Sequence, residues 1–241
     1  FSTIEVLLAF KYPDIDAVDF SKYAFDKAFL WGIPQKPGVY KMKNKSGDVI
    51  YVGKAKNLKQ RLSSYFWNSA DRLQKIADLL NHVYTIEYEE TGSELAAIVL
   101  EFRLIQQYRP KLNQQLEVHE RTTRYGNLKN FIVILPSSIE ESLELFFVKD
   151  GLPLQRYEIL RDAVNFSGVE RILDTNIQNH NVLTDLEMGE MEIVLSWVEA
   201  NKDQANYINM DTVSGKEACL KLVRDYLRDE ETVRKKHFRW L

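Results

Sequence analysis

Tyr40, Tyr51, Lys54, Arg61, Tyr65, Glu101 and Asn113 are the residues of this chain whose types and spacing could carry chemistry. Pro37-Gly38-Val39-Tyr40 is followed, after ten intervening residues, by Tyr51-Val52-Gly53-Lys54. The chemistry that suits the set is metal-dependent phosphodiester hydrolysis. That reaction needs a water deprotonated, charge on the phosphoryl oxygens neutralised and the departing alkoxide stabilised. Glu101 lies three residues after Ile98 and four before Ile105, so helical periodicity puts it on an otherwise apolar side of its helix. A carboxylate left unpaired there is costly. Either a Lys or Arg partner or a divalent cation such as Mg²⁺ or Mn²⁺ compensates it, and one protein carboxylate plus waters and a substrate phosphate is an ordinary Mg²⁺ arrangement.

Tyr40 and Tyr51 fall in two β-favouring runs, where their rings can be plain strand residues. As a proton acceptor, a tyrosine with its ordinary pKa near ~10 needs a neighbouring cation, which Lys54 or a metal could supply. Gly53 marks a turn or a close approach of backbone to ligand. Arg61 follows Lys54 by seven residues, two helical turns, and could hold a phosphate bidentately or stand solvated. Tyr65 could touch DNA or pad the core; Asn113 could serve the site or a turn.

The elements that must position these residues follow from pattern. Val39 to Met42 and Val49 to Val52 flank Asn44-Lys45-Ser46-Gly47-Asp48, a β-hairpin signature. Leu58, Leu62 and Tyr65 have helical spacing, and Asp71 to Val83 repeats it. Val83 to Tyr88 alternates as a strand. Ser93 is a candidate N-cap for a helix from Glu94 to about Tyr108 that Pro110 terminates. The order β-β-α-α-β-α predicts a compact α/β (α+β) unit, a small sheet flanked by helices. Downstream, Phe131 to Leu135 reads as a buried strand, Leu143 to Val148 and Leu152 to Ile159 as a hairpin turning at Asp150-Gly151, Leu186 to Val198 and Lys216 to Leu227 as helices, and Tyr207 to Met210 as a short strand. The expected division is an arm over 1–30 holding at most one short helix, a site-bearing domain over 31–118, and a second small α+β domain over 119–241.

The overall charge of −3 speaks against a nucleic-acid partner, but its distribution reverses that. From Lys36 to Phe66 the chain carries a net +7, which makes Lys54, Lys56, Lys59 and Arg61 candidate DNA contacts. The run Arg234-Lys235-Lys236-His237-Phe238-Arg239-Trp240 also suits phosphates and bases. From Asn181 to Ala200 there are five acids and no Lys or Arg, a protein-contact or solvated face. A single cysteine, Cys219, excludes an internal disulfide and a cysteine zinc cluster and fits a reducing cytoplasm. No apolar run suits a membrane span. A start at Phe1 rather than Met suggests a processed product or a fragment.

Together, Gly38-Val39-Tyr40, Tyr51-Val52-Gly53, Lys54-Ala55-Lys56-Asn57-Leu58 with Arg61 and Tyr65, Leu100-Glu101, Leu104-Ile105, Tyr108-Arg109-Pro110-Lys111 and Asn113 resemble the GIY-YIG nuclease domain in its UvrC and Cho form. That resemblance implies a DNA endonuclease making single-strand incisions in repair. Within it, Glu101 would be the metal ligand and Tyr51 or Tyr40 the general base, with the other hydroxyl orienting the water. Lys54 and Arg61 would act at the phosphate, and Asn113 would be accessory. A catalytically inactive DNA-binding or docking module on the same scaffold is the alternative. The partners implied are DNA and a damage-recognition protein or a fused exonuclease, since the hairpin around Leu143 to Tyr157 is similar to UvrC-like tails behind epsilon-type exonucleases. The expected state is a monomer. The RNase H-like domain, helix-hairpin-helix motifs and UvrB-binding segment of UvrC are not recognisable, and Arg103 stands where UvrC usually has Asn.

Overall fold

The two β-rich runs form β1 (Gly38–Lys43) and β2 (Val49–Ala55), an antiparallel pair with Tyr40 opposite Gly53. In this computed structural model, residues 18–66, 74–116, 130–175, 183–201 and 205–228 are described. Gly47, at φ 88°, takes the left-handed conformation that closes the hairpin. β3 (Thr85–Glu90) pairs antiparallel with the other side of β1, giving the sheet order β2-β1-β3. β2 is therefore an edge strand, with a row of backbone groups facing away from its partner.

Around this sheet the chain places α1 (Lys27–Gly32), α2 (Leu58–Ser64), α3 (Gln74–His82), α4 (Glu94–Tyr108) and α5 (Lys111–Leu116). Asn57 caps α2 by accepting from the Gln60 N–H, and Ser93 caps α4 by accepting from the Ala96 N–H. Arg109 ends α4 in the left-handed region at φ 44°, its N–H bonded to the Ile105 carbonyl. Pro110 then cannot continue α4, and the chain turns directly into α5. The sequence reading assigns that segment to a loop. Asn113 instead sits on a helix.

One buried cluster joins Leu30, Tyr40, Met42, Leu58, Leu62, Tyr65 and Phe66. Phe20, Phe25 and Phe29, assigned to a connecting arm by composition, pack against it, and Phe25 lies edge-on to Phe66. These rings cover apolar surface that the hairpin and α2 would otherwise expose.

The chain divides into two units, 1–119 and 120–241. The second is an antiparallel four-stranded sheet of order β6-β5-β4-β7, from β4 (Phe131–Pro136), β5 (Ser142–Val148), β6 (Gln155–Leu160) and β7 (Asn206–Asn209). Its helices are α6 (Ser167–Asp174), α7 (Asp185–Ala200) and α8 (Lys216–Arg228). Ile132, Leu145 and Phe147 share a core with Val169, Leu220 and Val223, so α6 and α8 cover one sheet face. Thr184 and Glu187 form a reciprocal capping box at the start of α7. Glu144, fully buried on β5, is ion-paired with Arg156 of β6. The segment Tyr12 to Asp16, the start of the helix expected from Asp71, and the basic aromatic run 234–240 lie outside the described residues.

Candidate active site

Three tyrosines converge on one face of the small sheet. Tyr40 comes from β1, Tyr51 from β2, and Tyr65 from the residue that ends α2. The Tyr40 and Tyr65 hydroxyls lie 2.7 Å apart in a hydrogen bond. The Tyr40 ring centroid stands 6.2 Å from that of Tyr51 and 6.0 Å from that of Tyr65. Gly53 makes the convergence possible, because a Cβ built there would collide with the Tyr40 hydroxyl and the Tyr51 ring. Gly38 has a comparable role, since a Cβ there would strike the Glu89 carbonyl of β3 and the Leu58 side chain of α2.

Arg61 reaches this cluster from α2. Its Nε donates to the Tyr40 hydroxyl at 3.3 Å, and its guanidinium carbon lies 5.1 Å from the Tyr65 ring centroid. These two contacts hold the guanidinium while the residue remains exposed. Burial opposes its charge, but the neighbouring Tyr40 and Tyr65 oxygens outweigh burial and raise its pKa.

Burial raises the Tyr40 pKa well above its ordinary value, reinforced by Tyr65 and Tyr51 and opposed by Arg61. Tyr51 is raised for the same first reason, then by Tyr65; the negative charge of Glu101 adds to the shift. Glu101 on α4 is thus close enough to act on Tyr51. The sequence reading looks to Lys54 or a metal to lower a tyrosine pKa. In the protein alone both tyrosines are shifted upward, and Lys54 stands exposed near the end of β2.

Asn113 belongs to the same neighbourhood in another capacity. Its Oδ1 accepts from the Val52 N–H at 2.8 Å and its Nδ2 donates to the Val52 carbonyl at 2.9 Å. The side-chain amide therefore pairs with the outer edge of β2 as a neighbouring strand would, fixing the backbone between Tyr51 and Gly53. With 3% exposure, it faces the strand and not a ligand.

Residues 36–114 match the family model of the UvrC-like GIY-YIG domain. UvrABC system protein C of Thermoanaerobacter sp. (strain X514) is 51% identical over 85 residues, 35% of this chain and 14% of the relative. This stretch is a UvrC-like GIY-YIG domain. The corresponding protein of Clostridium kluyveri is 51% identical over 81 residues, 34% of this chain and 13% of the relative. Among solved structures, the GIY-YIG N-terminal endonuclease domain of UvrC from Thermotoga maritima, bound to its catalytic divalent cation magnesium, is 36% identical. That likeness covers 37% of this chain and 99% of the other, with a TM-score of 0.33. The family model and the sequence identities carry the assignment. The chain spans about a seventh of the length of these curated relatives.

Within the GIY-YIG domain, charge is arranged differently from what the net +7 of the run implies. Lys36 pairs with Glu90 at 3.1 Å, Lys41 and Lys43 both pair with Glu87, and Lys56 pairs with Glu94 at 2.9 Å. The Lys59 Nζ donates to the Trp31 carbonyl at 2.8 Å, tying α2 to α1. Two of the expected DNA contacts, Lys56 and Lys59, therefore hold internal partners, while Arg61 carries exposed charge beside the tyrosine cluster. Lys54 is an exposed residue of β2, not a neighbour of Arg61 two turns away on one helix, because the helix begins only at Leu58. Counting charges along one run missed this because the compensating acids come from β3 and α4. Cross-strand register carried a partial signal: Lys41 lies directly opposite Glu87.

Proposed function

We propose that the GIY-YIG domain is a metal-dependent DNA endonuclease that hydrolyses one strand of a duplex, in a repair process resembling nucleotide excision repair. The observation that carries this reading is the convergence of Tyr51, the Tyr40–Tyr65 hydroxyl pair and the Arg61 guanidinium, with Glu101 close enough to raise the Tyr51 pKa. Among the described residues there is no group of three or more His, Cys, Asp or Glu side chains that could enclose a metal. A single carboxylate on a partly exposed helix face is a fitting donor for a hard cation whose remaining ligands are water and phosphate oxygens. Glu101 is the residue that would hold Mg²⁺ or Mn²⁺. Bound there, the cation would supply positive charge at the phosphate and next to Tyr51.

The chain's own residues divide the remaining work. Tyr51 is less buried than Tyr40 and lies within the influence of position 101, where a bound cation would oppose its upward shift, so it takes the proton from the attacking water. Tyr40, buried and hydrogen-bonded to Tyr65 and Arg61, is the hydroxyl that orients that water. Arg61 presents its exposed guanidinium edge to the non-bridging phosphate oxygens, and Lys54 adds a second charge at the mouth of the site. Asn113 acts through the backbone, holding β2 so that Tyr51 keeps its place.

Nicking of supercoiled plasmid by the full chain, with Mg²⁺ or with EDTA, tests the reading. Wild type nicks only with metal, and Tyr51→Phe falls by 10²-fold or more, in the range of a lost general base. Nicking unchanged in EDTA contradicts metal dependence. The partner reading, a damage-recognition protein that loads this domain on DNA, predicts faster nicking of lesion-bearing duplex when such a protein is added.

A further inference from the structure

The stripe of α4 that carries Glu101 also carries Glu94 seven residues before it and Tyr108 seven residues after it. Seven residues are two turns, so the three side chains share one face at intervals of about 10 Å. A lysine stands at each end. Lys56 is ion-paired with Glu94 at 2.9 Å, and the Lys41 Nζ lies 5.8 Å from the centroid of the Tyr108 ring, itself 41% exposed. The Lys41 Nζ also pairs with Glu87 at 3.1 Å, and Lys43 pairs with the other oxygen of the same carboxylate. The Glu87 carboxylate is 45% exposed while the Lys41 and Lys43 side chains are 24% and 23% exposed, so it is the anionic partner that stands open to solvent and to exchange with a competing anion.

We propose that Lys41 and Lys43, with the exposed Tyr108 beside them at the end of α4 two turns beyond Glu101, form a phosphate-binding subsite for the DNA strand, and that Glu87 occupies it in the free protein. The proposal rests on the endonuclease reading above and extends it to the path of the substrate. The strand runs along α4, with the reacting phosphate at Glu101 and a flanking phosphate at Lys41 and Lys43. Glu87 is a stand-in for that phosphate, because one carboxylate accepts from both lysines as two non-bridging oxygens would. When DNA enters, the two lysines exchange the carboxylate for phosphate and Glu87 is left as a nearby like charge. Glu87 therefore lowers affinity for DNA, and it does so most at low salt, where surface charge is least screened. Lys43 and Lys41 hold the Glu87 carboxyl below its ordinary range, so this opposing charge is present throughout neutral pH.

Equilibrium binding of a fluorescent duplex to the full chain in EDTA, across a salt series, tests this together with plasmid nicking in Mg²⁺. Lys41→Ala/Lys43→Ala is expected to weaken binding roughly 3- to 10-fold at low salt and to make the salt dependence shallower by about one to two released ions. Glu87→Gln is expected to tighten binding several-fold at low salt, with a gain that shrinks as salt rises. Because Glu87→Gln changes charge while keeping shape, and its predicted effect is a gain, a folding defect cannot produce the expected result. Wild-type nicking combined with unaltered binding in both variants overturns the subsite and leaves the endonuclease reading standing. Wild-type protein that neither binds nor nicks DNA overturns both.

Discussion

Tyr51 and Tyr40 are both aromatic residues of a hairpin, and their surroundings separate them. Tyr40 is 1% exposed and shares its hydroxyl with Tyr65 and Arg61, whereas Tyr51 is partly exposed and lies within the influence of Glu101. The residue types were legible in the sequence, and so was their grouping, because Gly-Val-Tyr and Tyr-Val-Gly fix two strand ends at a set separation. Their difference in burial was not legible, since both alternate into the same sheet face. A pH prediction follows from the upward shifts. A raised tyrosine pKa means that the folded protein binds the proton more tightly than the unfolded chain. Its stabilising contribution is complete below about pH 10 and is lost as pH rises toward the folded value. Alkaline titration followed by near-ultraviolet absorbance should show Tyr40 and Tyr51 ionising later than exposed tyrosines, and Tyr40→Phe should reduce the number of late-titrating groups by one.

At the level of elements, the site depends on two close fits. Gly53 gives the Tyr40 hydroxyl its space, so Gly53→Ala should destabilise the protein by about 1–3 kcal/mol in denaturant melts and lower nicking more than the stability loss explains. Asn113→Ala removes both edge partners of Val52 and should cost about 2–4 kcal/mol, with Asn113→Asp restoring only the contact to the N–H. If Asn113→Ala melts like wild type, the clamp on β2 is not what holds the strand. The hairpin, α4 and the β-β-α-α-β-α order were legible because turn residues and the Ser93 cap mark their ends. α5 was not, because its significance lies in a contact 61 residues away in sequence and its length is a turn and a half. α6 was equally hidden: it is eight residues long and Phe166 gives it no side-chain cap.

For the whole molecule, net charge predicts little and local charge only part. The −3 total conceals a basic run, and the basic run is in turn partly neutralised by Glu87, Glu90 and Glu94. Pairing across strands and between a helix and a loop cannot be read from a linear count, so DNA affinity should be modest and strongly salt-dependent. Among the described residues, no helix is long and apolar enough to cross a membrane. The second unit contributes an all-antiparallel sheet whose strands β4 and β5 are buried on both faces, α6 and α8 lying on one of them, and its pattern of buried strands was visible in Phe131 to Leu135 and in the Asp-Gly turn at Gly151, φ 75°. The central claim is that Glu101 supplies the protein's ligand to a catalytic cation, and the most direct measurement compares wild type with Glu101→Gln on supercoiled plasmid and lesion-bearing duplex in Mg²⁺, Mn²⁺ and EDTA, with thermal melts alongside. The expected result is metal-dependent nicking by wild type and its loss in Glu101→Gln at unchanged melting temperature; equal metal-dependent nicking by the two proteins would contradict it.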